Sequence, residues 1–443
     1  MEIEIISKER VKPSSPTPPH LKTFKVSALD HLILTPFIPL TLYYPNSDGE
    51  TALERSTALK ESLSKTLTQF YPLAGSIQDD LTIDCNDDGA LYVVAMVNCG
   101  LNQFLDHPDV LQSINRFLPC APNFTGSTIG SPVTNVQVNI FECGGIALGM
   151  SISHKVLDGA ALGVFLKGWT NMARGSMEIV HPNLTAPSLF PLKLLSIRDM
   201  FTGQFMPQVK QGKCDTRRLF FESDAIAKLK AEAIENGVQR PSRLEVVSAL
   251  IWKSAMAASK EACGFQKTSS LTNIVNLRPY LNQPMSHDFI GNLVWLVMAT
   301  SEPNHKPTSH SLVTRIRESI SKVNAEFVLK LQGDEGHVVM EKSLQDFVEI
   351  VSKENMDPYG FTSLCKLGFY EFDFGWGKPI WMTAIVAHGS PVFMNMVNLF
   401  DMRFGDGIEA WVSLDEPEMK LLLKNQELLA YASVDSRTIK NGN

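Results

Sequence analysis

Apolar positions along this chain recur at two periods. Helix-period and strand-period segments alternate from end to end, which predicts an α/β architecture. Leu59, Leu63, Leu67 and Phe70 stand three or four residues apart and predict an amphipathic helix from about Ala52 to Phe70. The segment Phe141 to Ser153 is small and apolar and contains Gly144, Gly145 and Gly149. It reads as one buried strand that other backbone approaches closely. The helical period then returns, with Leu162, Phe165, Leu166 and Trp169 on one face and Gly175 as the C-terminal stop. Ser242 followed by Glu245 is a capping box ahead of Val246, Val247, Leu250 and Ile251. Leu312, Ile316, Ile320 and Val323 mark a further helix, and Met419 to Leu429 the last one.

Between His181 and Lys213 no period survives, and Pro182, Pro187, Pro191 and Pro207 interrupt the chain. This stretch reads as a long linker crossing between domains. A chain of 443 residues exceeds a single ordinary core. Hydrophobic residues at 44% and charged residues at 20% are globular values and exclude disordered and fibrous classes. The net charge of −7 argues against a nucleic-acid binder but leaves room for a local anion site. Lys210, Lys213, Arg217 and Arg218 form a basic cluster near the linker that reads as a solvated face. The seven cysteines are scattered with no C-x-x-C pair, which predicts reduced thiols. Met1 to Lys12 carries Glu2, Glu4 and Glu9 and lacks the apolar core of a signal peptide. The apolar run Leu32 to Tyr44 contains Pro36 and Pro39 and is too short to span a bilayer. Ile439 to Asn443 carries no usual retention or peroxisomal signal. The expectation is a cytoplasmic protein with no nucleic-acid or membrane partner.

The heptapeptide Ser153-His154-Lys155-Val156-Leu157-Asp158-Gly159 holds an H-x-x-x-D pattern. Spacing alone carries little: with ten histidines and 47 acidic residues a chance match is expected, and His337 with Glu341 supplies one inside an ordinary helical pattern. Position separates the two. His154 ends a glycine-containing strand and precedes a helix, a junction where catalytic groups sit on α/β sheets. Two readings stay open at this point. In one, His154 is a structural histidine and Asp158 caps the following helix. In the other, His154 is a general base, and Asp158 orients it or pairs with an arginine elsewhere. Imidazole, with a reference pKa of about 6.5, can take the proton of an alcohol as it attacks. A thioester is already activated, so such a transfer requires neither a metal nor a covalent intermediate.

Asp373-Phe374-Gly375-Trp376-Gly377, followed by Lys378 and Pro379, stands on the far side of the linker from His154-x-x-x-Asp158-Gly159. The pair, in this order, resembles the D-F-G-W-G and H-x-x-x-D motifs of the BAHD acyltransferases. Further matching stretches are Ser14-Ser15-Pro16-Thr17-Pro18, Phe70-Tyr71-Pro72-Leu73-Ala74-Gly75, Asp84-Cys85-Asn86-Asp87 and Phe141-Glu142-Cys143-Gly144-Gly145. Asn276-Leu277-Arg278, Gly291-Asn292 and Gly405-Asp406-Gly407-Ile408-Glu409-Ala410-Trp411 continue the match, so it covers nearly the whole chain. The resemblance implies an acyl-CoA-dependent O-acyltransferase of plant specialised metabolism. The branch it looks nearest to acts on alkaloids and triterpenoid-derived limonoids, mostly with acetyl-CoA.

The same resemblance implies a chloramphenicol acetyltransferase-like α/β fold: two similarly built domains of mixed β-sheet with helices, and a channel between them. Coenzyme A enters from one face and the acceptor from the other. The implied N-terminal domain is 1–200 plus about 373–398, the crossover linker 201–213, and the C-terminal domain 214–372 plus about 399–443. A monomer is implied, with acetyl-CoA as co-substrate, no permanently bound cofactor and no metal. By resemblance His154 is the base, Asp158 pairs with Arg278 as structural support, and Asp373 belongs to a loop-positioning element away from the reaction.

Coenzyme A phosphates need donors. Ser242 and Arg243 at a helix start, with Lys253 further along, are the candidate patch, a capped helix with solvated basic residues being the alternative. Two positions depart from the family pattern. Ser76 stands where many members have arginine. Leu364, in Thr362-Ser363-Leu364, stands where many have a tryptophan whose N–H faces the reacting carbonyl. Leucine donates no hydrogen bond, which leaves Thr362 or water as the oxyanion donor. An inactive small-molecule-binding relative and a metal-dependent hydrolase using His154 and Asp158 as ligands are the competing readings. The second lacks further ligands at a recognisable spacing.

Overall fold

The alternating pattern builds two large mixed sheets. The structure, a computed structural model, describes residues 1–33, 37–46, 51–107, 109–120, 129–193, 210–281, 286–304, 307–384 and 388–435. Among these residues the first large sheet is six-stranded, in the order Ile3–Val11, Ala90–Val97, Thr134–Phe141, Ile146–Ser153, Phe37–Tyr44, Trp381–Thr383. The second is seven-stranded, in the order Val294–Ser301, Thr268–Asn276, Met356–Ser363, Met396–Asp401, Ile408–Asp415, Cys214–Phe221, Ser433–Val434.

The segment Phe141 to Ser153 is two strands, not one. Thr134–Phe141 and Ile146–Ser153 pair antiparallel, and Glu142 to Gly145 turn between them. Gly144 takes a φ of 79°, the left-handed region open to glycine, and this breaks the run. The close approach expected of this segment falls at Gly149, where an added Cβ would lie 1.9 Å from the carbonyl oxygen of Phe117. Thr134–Phe141 is buried on both faces although Asn135, Gln137 and Asn139 alternate with apolar residues. Their amides are satisfied internally: Asn139 Nδ2 donates to the carbonyls of Phe117 and Ala147 at 3.0 Å each, and Gln137 Nε2 to that of Arg116 at 3.2 Å. Gln137 and Asn139 thereby clamp the segment 114–118 over the sheet instead of facing water.

The predicted helices form where caps and period place them. Ala52–Gln69 starts at a Thr51–Glu54 capping box and buries Leu59, Leu63 and Leu67. Against it lies Gly159–Ala173, whose Trp169 Nε1 donates to Ser62 Oγ at 3.0 Å. Arg243–Cys263 starts at the Ser242–Glu245 box, and Ser309–Ser321 carries Leu312 and Ile316 inward. His337 and Glu341 lie within the helix Gly336–Val351, as their pattern predicts. The last predicted helix is two short ones, Glu416–Leu422 and Gln426–Leu429. Asn425 ends the first by capping the second, its side chain accepting from the Leu428 N–H at 3.0 Å.

Of the predicted linker, residues 194–209 lie outside the described residues. Its first part is docked: Ala186 and Phe190 are fully buried, and the Ala28 N–H donates to the Phe190 carbonyl at 2.8 Å. With Leu29, Leu277, Phe289 and Trp295 they form a core cluster that joins the N-terminal segment to the second sheet. A second lock is Trp381, which pairs into the first sheet while its ring stacks 6.1 Å from Trp411 of the second. The basic cluster therefore needs a correction. Arg218 is not on a solvated face; it is 6% exposed, bonded to Glu409 at 2.6 Å and layered between Phe220 and Trp381. The inward side of Cys214–Phe221 and the crossing of Trp381 place it there. Lys213 does stand exposed and Arg217 is half-buried, in ion pairs with Glu416 and with Asp215 and Asp435 respectively.

Candidate active site

The strand Ile146–Ser153 runs straight into the motif. His154 follows its last residue, Val156 and Leu157 bury themselves in the turn, and Asp158 caps the helix Gly159–Ala173. Both readings of Asp158 hold at once. Its Oδ1 accepts from the Ala161 N–H at 2.8 Å, as an N-cap does, and from Arg278 Nη2 at 3.1 Å. Its Oδ2 accepts from Arg278 Nη1 at 2.8 Å and from the Leu293 N–H at 3.0 Å. The pair is bidentate and buried, at 4% and 1% exposure. Arg278 Nη2 also donates to the carbonyls of Phe289 and Gly291, so the guanidinium gathers the loop after Thr268–Asn276 around the end of the first sheet.

His154 is half-buried and faces a cavity of about 310 Å³ that Thr362 and Leu364 also line. Its Nδ1 is buried with no well-aligned partner. Burial holds the imidazole below its ordinary pKa, and Asp158, its own carbonyl, Asn292 and Asp30 only partly oppose this. Two residues not picked out from the sequence as site residues hold its backbone. Asn292 Nδ2 donates to the His154 carbonyl at 2.6 Å, and Asn292 N and Nδ2 donate to Asp30 Oδ1 at 2.6 and 2.8 Å. Asp30 is itself the acidic end of a capping box with Ser27, and burial raises its pKa. The Ser27-Ala28-Leu29-Asp30 pattern marks the cap in the sequence, but nothing in it points to His154.

Leu364 lies over the start of the helix Gly159–Ala173: a Cβ at Gly159 would meet its Cδ2 at 2.8 Å. Its side chain thus puts hydrocarbon, not a donor, beside the His154 turn. Ser76, the other departure, accepts a hydrogen bond from Asn86 Nδ2 at 2.8 Å. Asp373 does not line the cavity; its Oδ1 accepts the N–H groups of Gly375 and Gly377 at 2.7 and 2.9 Å and closes its own loop. That loop places the Phe374 ring 5.1 Å from Trp169. Ser242, Arg243 and Lys253 also lie away from the cavity lining. Ser242 is spent on its cap, Arg243 pairs with Asp401, and Lys253 pairs with Glu427 at 2.6 Å. All seven cysteines are free thiols and none lines the cavity. Burial pushes Cys85, Cys214 and Cys365 up to about 12 each.

A family profile described as the Transferase family matches residues 1–429. The limonoid 7-O-acetyltransferase of Citrus sinensis is 38% identical, over 98% of this chain and 99% of that protein. The crystal structure of vinorine synthase, an enzyme of Rauvolfia serpentina, is 34% identical, covers 99% of this chain and 100% of its own, and superposes with a TM-score of 0.82. A structure of F. sporotrichioides TRI101 complexed with coenzyme A and T-2 is 16% identical, covers 93% and 99%, and shares the fold with a TM-score of 0.71. The expected chloramphenicol acetyltransferase-like fold is the observed one.

Proposed function

This chain belongs to the transferase family, the BAHD acyltransferases, and from that premise we propose that it is an acetyl-CoA:alcohol O-acetyltransferase acting on a plant specialised metabolite, an alkaloid or a terpenoid such as a limonoid. One observation carries the catalytic reading. His154 faces an apolar cavity with its imidazole held below the ordinary pKa, so at neutral pH it is the proton-accepting form. Acetyl-CoA is the co-substrate, and no resident cofactor or metal is needed. The acceptor hydroxyl gives its proton to His154 as its oxygen attacks the thioester carbon. The tetrahedral adduct then expels the coenzyme A thiolate, which recovers the proton from the imidazolium. Leu364 donates nothing to the oxyanion, so the Thr362 hydroxyl or a water does.

Asp158 with Arg278, and Asp373 in its loop, hold the scaffold around this centre. For the coenzyme A phosphates the candidates are Ser242, Arg243 and Lys253, the two cations exchanging Asp401 and Glu427 for phosphate. The domains are 1–200 plus about 373–398 and 214–372 plus about 399–443, joined by 201–213; the pairing of Trp381–Thr383 into the first sheet supports the return of the chain to the first domain, and the strand Met396–Asp401 of the second sheet favours a boundary just before Met396. No helix among the described residues is long and apolar enough to cross a membrane, and the protein is read as a cytoplasmic monomer with no nucleic-acid partner. A metal-dependent hydrolase is disfavoured because both Asp158 oxygens are already engaged by Arg278 and backbone N–H groups.

Kinetic order tests the mechanism. Attack on a bound thioester needs the hydroxyl oxygen within about 3–3.5 Å of the thioester carbon, and therefore both substrates bound together. Double-reciprocal plots should intersect, and mixing with acetyl-CoA alone should leave the protein mass unchanged. Parallel plots with a stable gain of one acetyl group would mean an acyl-enzyme, which the raised thiols disfavour. The pH profile tests the base. Because the His154 pKa is lowered, kcat/KM should stay level as pH falls through about 6.5, the ordinary imidazole value, and decline only at more acidic pH. An acid limb centred at or above that value would contradict the assignment.

A further inference from the structure

We infer that the acceptor alcohol is uncharged, and that a protonated amine is excluded from the cavity at His154. The inference rests on the reading of that cavity as the acceptor site and goes beyond it by choosing between two acceptor chemistries.

Among the described residues, Asp158 is the sole carboxylate lining the cavity. It has no free valence for a ligand: Arg278 takes both oxygens, and the N–H groups of Ala161 and Leu293 take their remaining sites. Among the same described residues no lysine, arginine or glutamate lines the wall. The wall is mostly hydrocarbon, with Leu29, Leu40, Leu296, Leu344 and Phe347 among its residues. Its polar members besides the motif are neutral hydroxyls and amides, such as Ser343 and Asn398, which suit the oxygen functions of an uncharged ligand.

An ammonium group enters such a wall only by shedding its proton, because an unpaired buried charge is strongly disfavoured. An alkyl amine with a pKa of about 10 is deprotonated in only about one molecule in 10³ at pH 7, and its apparent affinity falls by that factor. A neutral polycyclic alcohol loses nothing. Among the described residues, the aromatic surface of Trp295, Phe347 and Phe369 would favour a cation, through a cation–π contact.

The test uses matched pairs of rigid polycyclic secondary alcohols, each pair a carbocycle and its tertiary-amine analogue. Binding to the full chain is measured by calorimetry from pH 6 to 9, and acetyl transfer from acetyl-CoA is followed in parallel. The carbocycle should bind with a pH-independent Kd. The amine should bind at least about 10²-fold more weakly at pH 6–7 and gain about tenfold per pH unit towards its own pKa. Leu296→Asp, at a half-buried lining position, should restore amine binding at pH 7; wild-type binding alone decides the matter if that variant does not fold. An amine held at pH 6 as tightly as its carbocycle overturns the inference, and so does a panel in which no carbocycle binds. The predicted binding pattern without any acetyl transfer upholds it and sinks the acetyltransferase reading instead.

Discussion

His154→Ala is expected to lose about 10²–10⁴ in kcat for acetyl transfer, the usual contribution of a general base, while its melting temperature stays close to that of the parent chain. The fold should survive because the imidazole borders an existing cavity, so its removal enlarges a void instead of opening one in packed core. The backbone contact at this position also survives, since Asn292 Nδ2 bonds the His154 carbonyl, which the substitution keeps. The turn, the Asp30–Asn292 network and the Asp158–Arg278 pair should all remain in place. A variant with near wild-type kcat would remove His154 from the mechanism. A variant that loses activity only by unfolding would fail to support it.

The second large effect is on stability. Asp158→Ala and Arg278→Ala should each cost about 3–5 kcal/mol, because each leaves the other charge buried without a counterion. Asp158→Ala also removes the cap of Gly159–Ala173, typically worth about 1 kcal/mol, and orphans the Leu293 N–H. The double substitution should cost less than the sum of the singles, because the two side chains act as one unit. Denaturant midpoints measure stability, and the same samples assayed for acetyl transfer should show activity falling with it. Unchanged midpoints and rates in both Asp158→Asn and Arg278→Gln would show that the pair holds nothing. Its position explains the expected size of the effect. Asp158 belongs to the end of the first sheet and Arg278 to the loop after a strand of the second, so the pair joins the two halves beside His154.

Much of the local structure was legible in the chain. Caps and stops act within a few residues, so Ser242 with Glu245 and the Leu59–Leu63–Leu67 stripe set their helices wherever these lie in space. The strand-to-helix junction at His154 was legible for the same reason. The break at Glu142 to Gly145 was missed because an apolar run conceals a turn, and the split at Asn425 because a cap inside a helical period looks like a helix residue.

What the sequence by itself determined is therefore the helices Ala52–Gln69, Gly159–Ala173, Arg243–Cys263 and Ser309–Ser321, the junction that carries His154, and, through paired motifs, the family. What only the tertiary structure decided is everything built from residues far apart along the chain. The Asp30–Asn292–His154 carbonyl network links residues 262 and 138 positions apart. The burial of Arg218 under Trp381 and the largely apolar wall that the described residues give the cavity are of the same kind. No period or spacing encodes such contacts. They arise when packing brings separate hydrophobic faces together, and the polar groups caught between those faces must then find partners where they are.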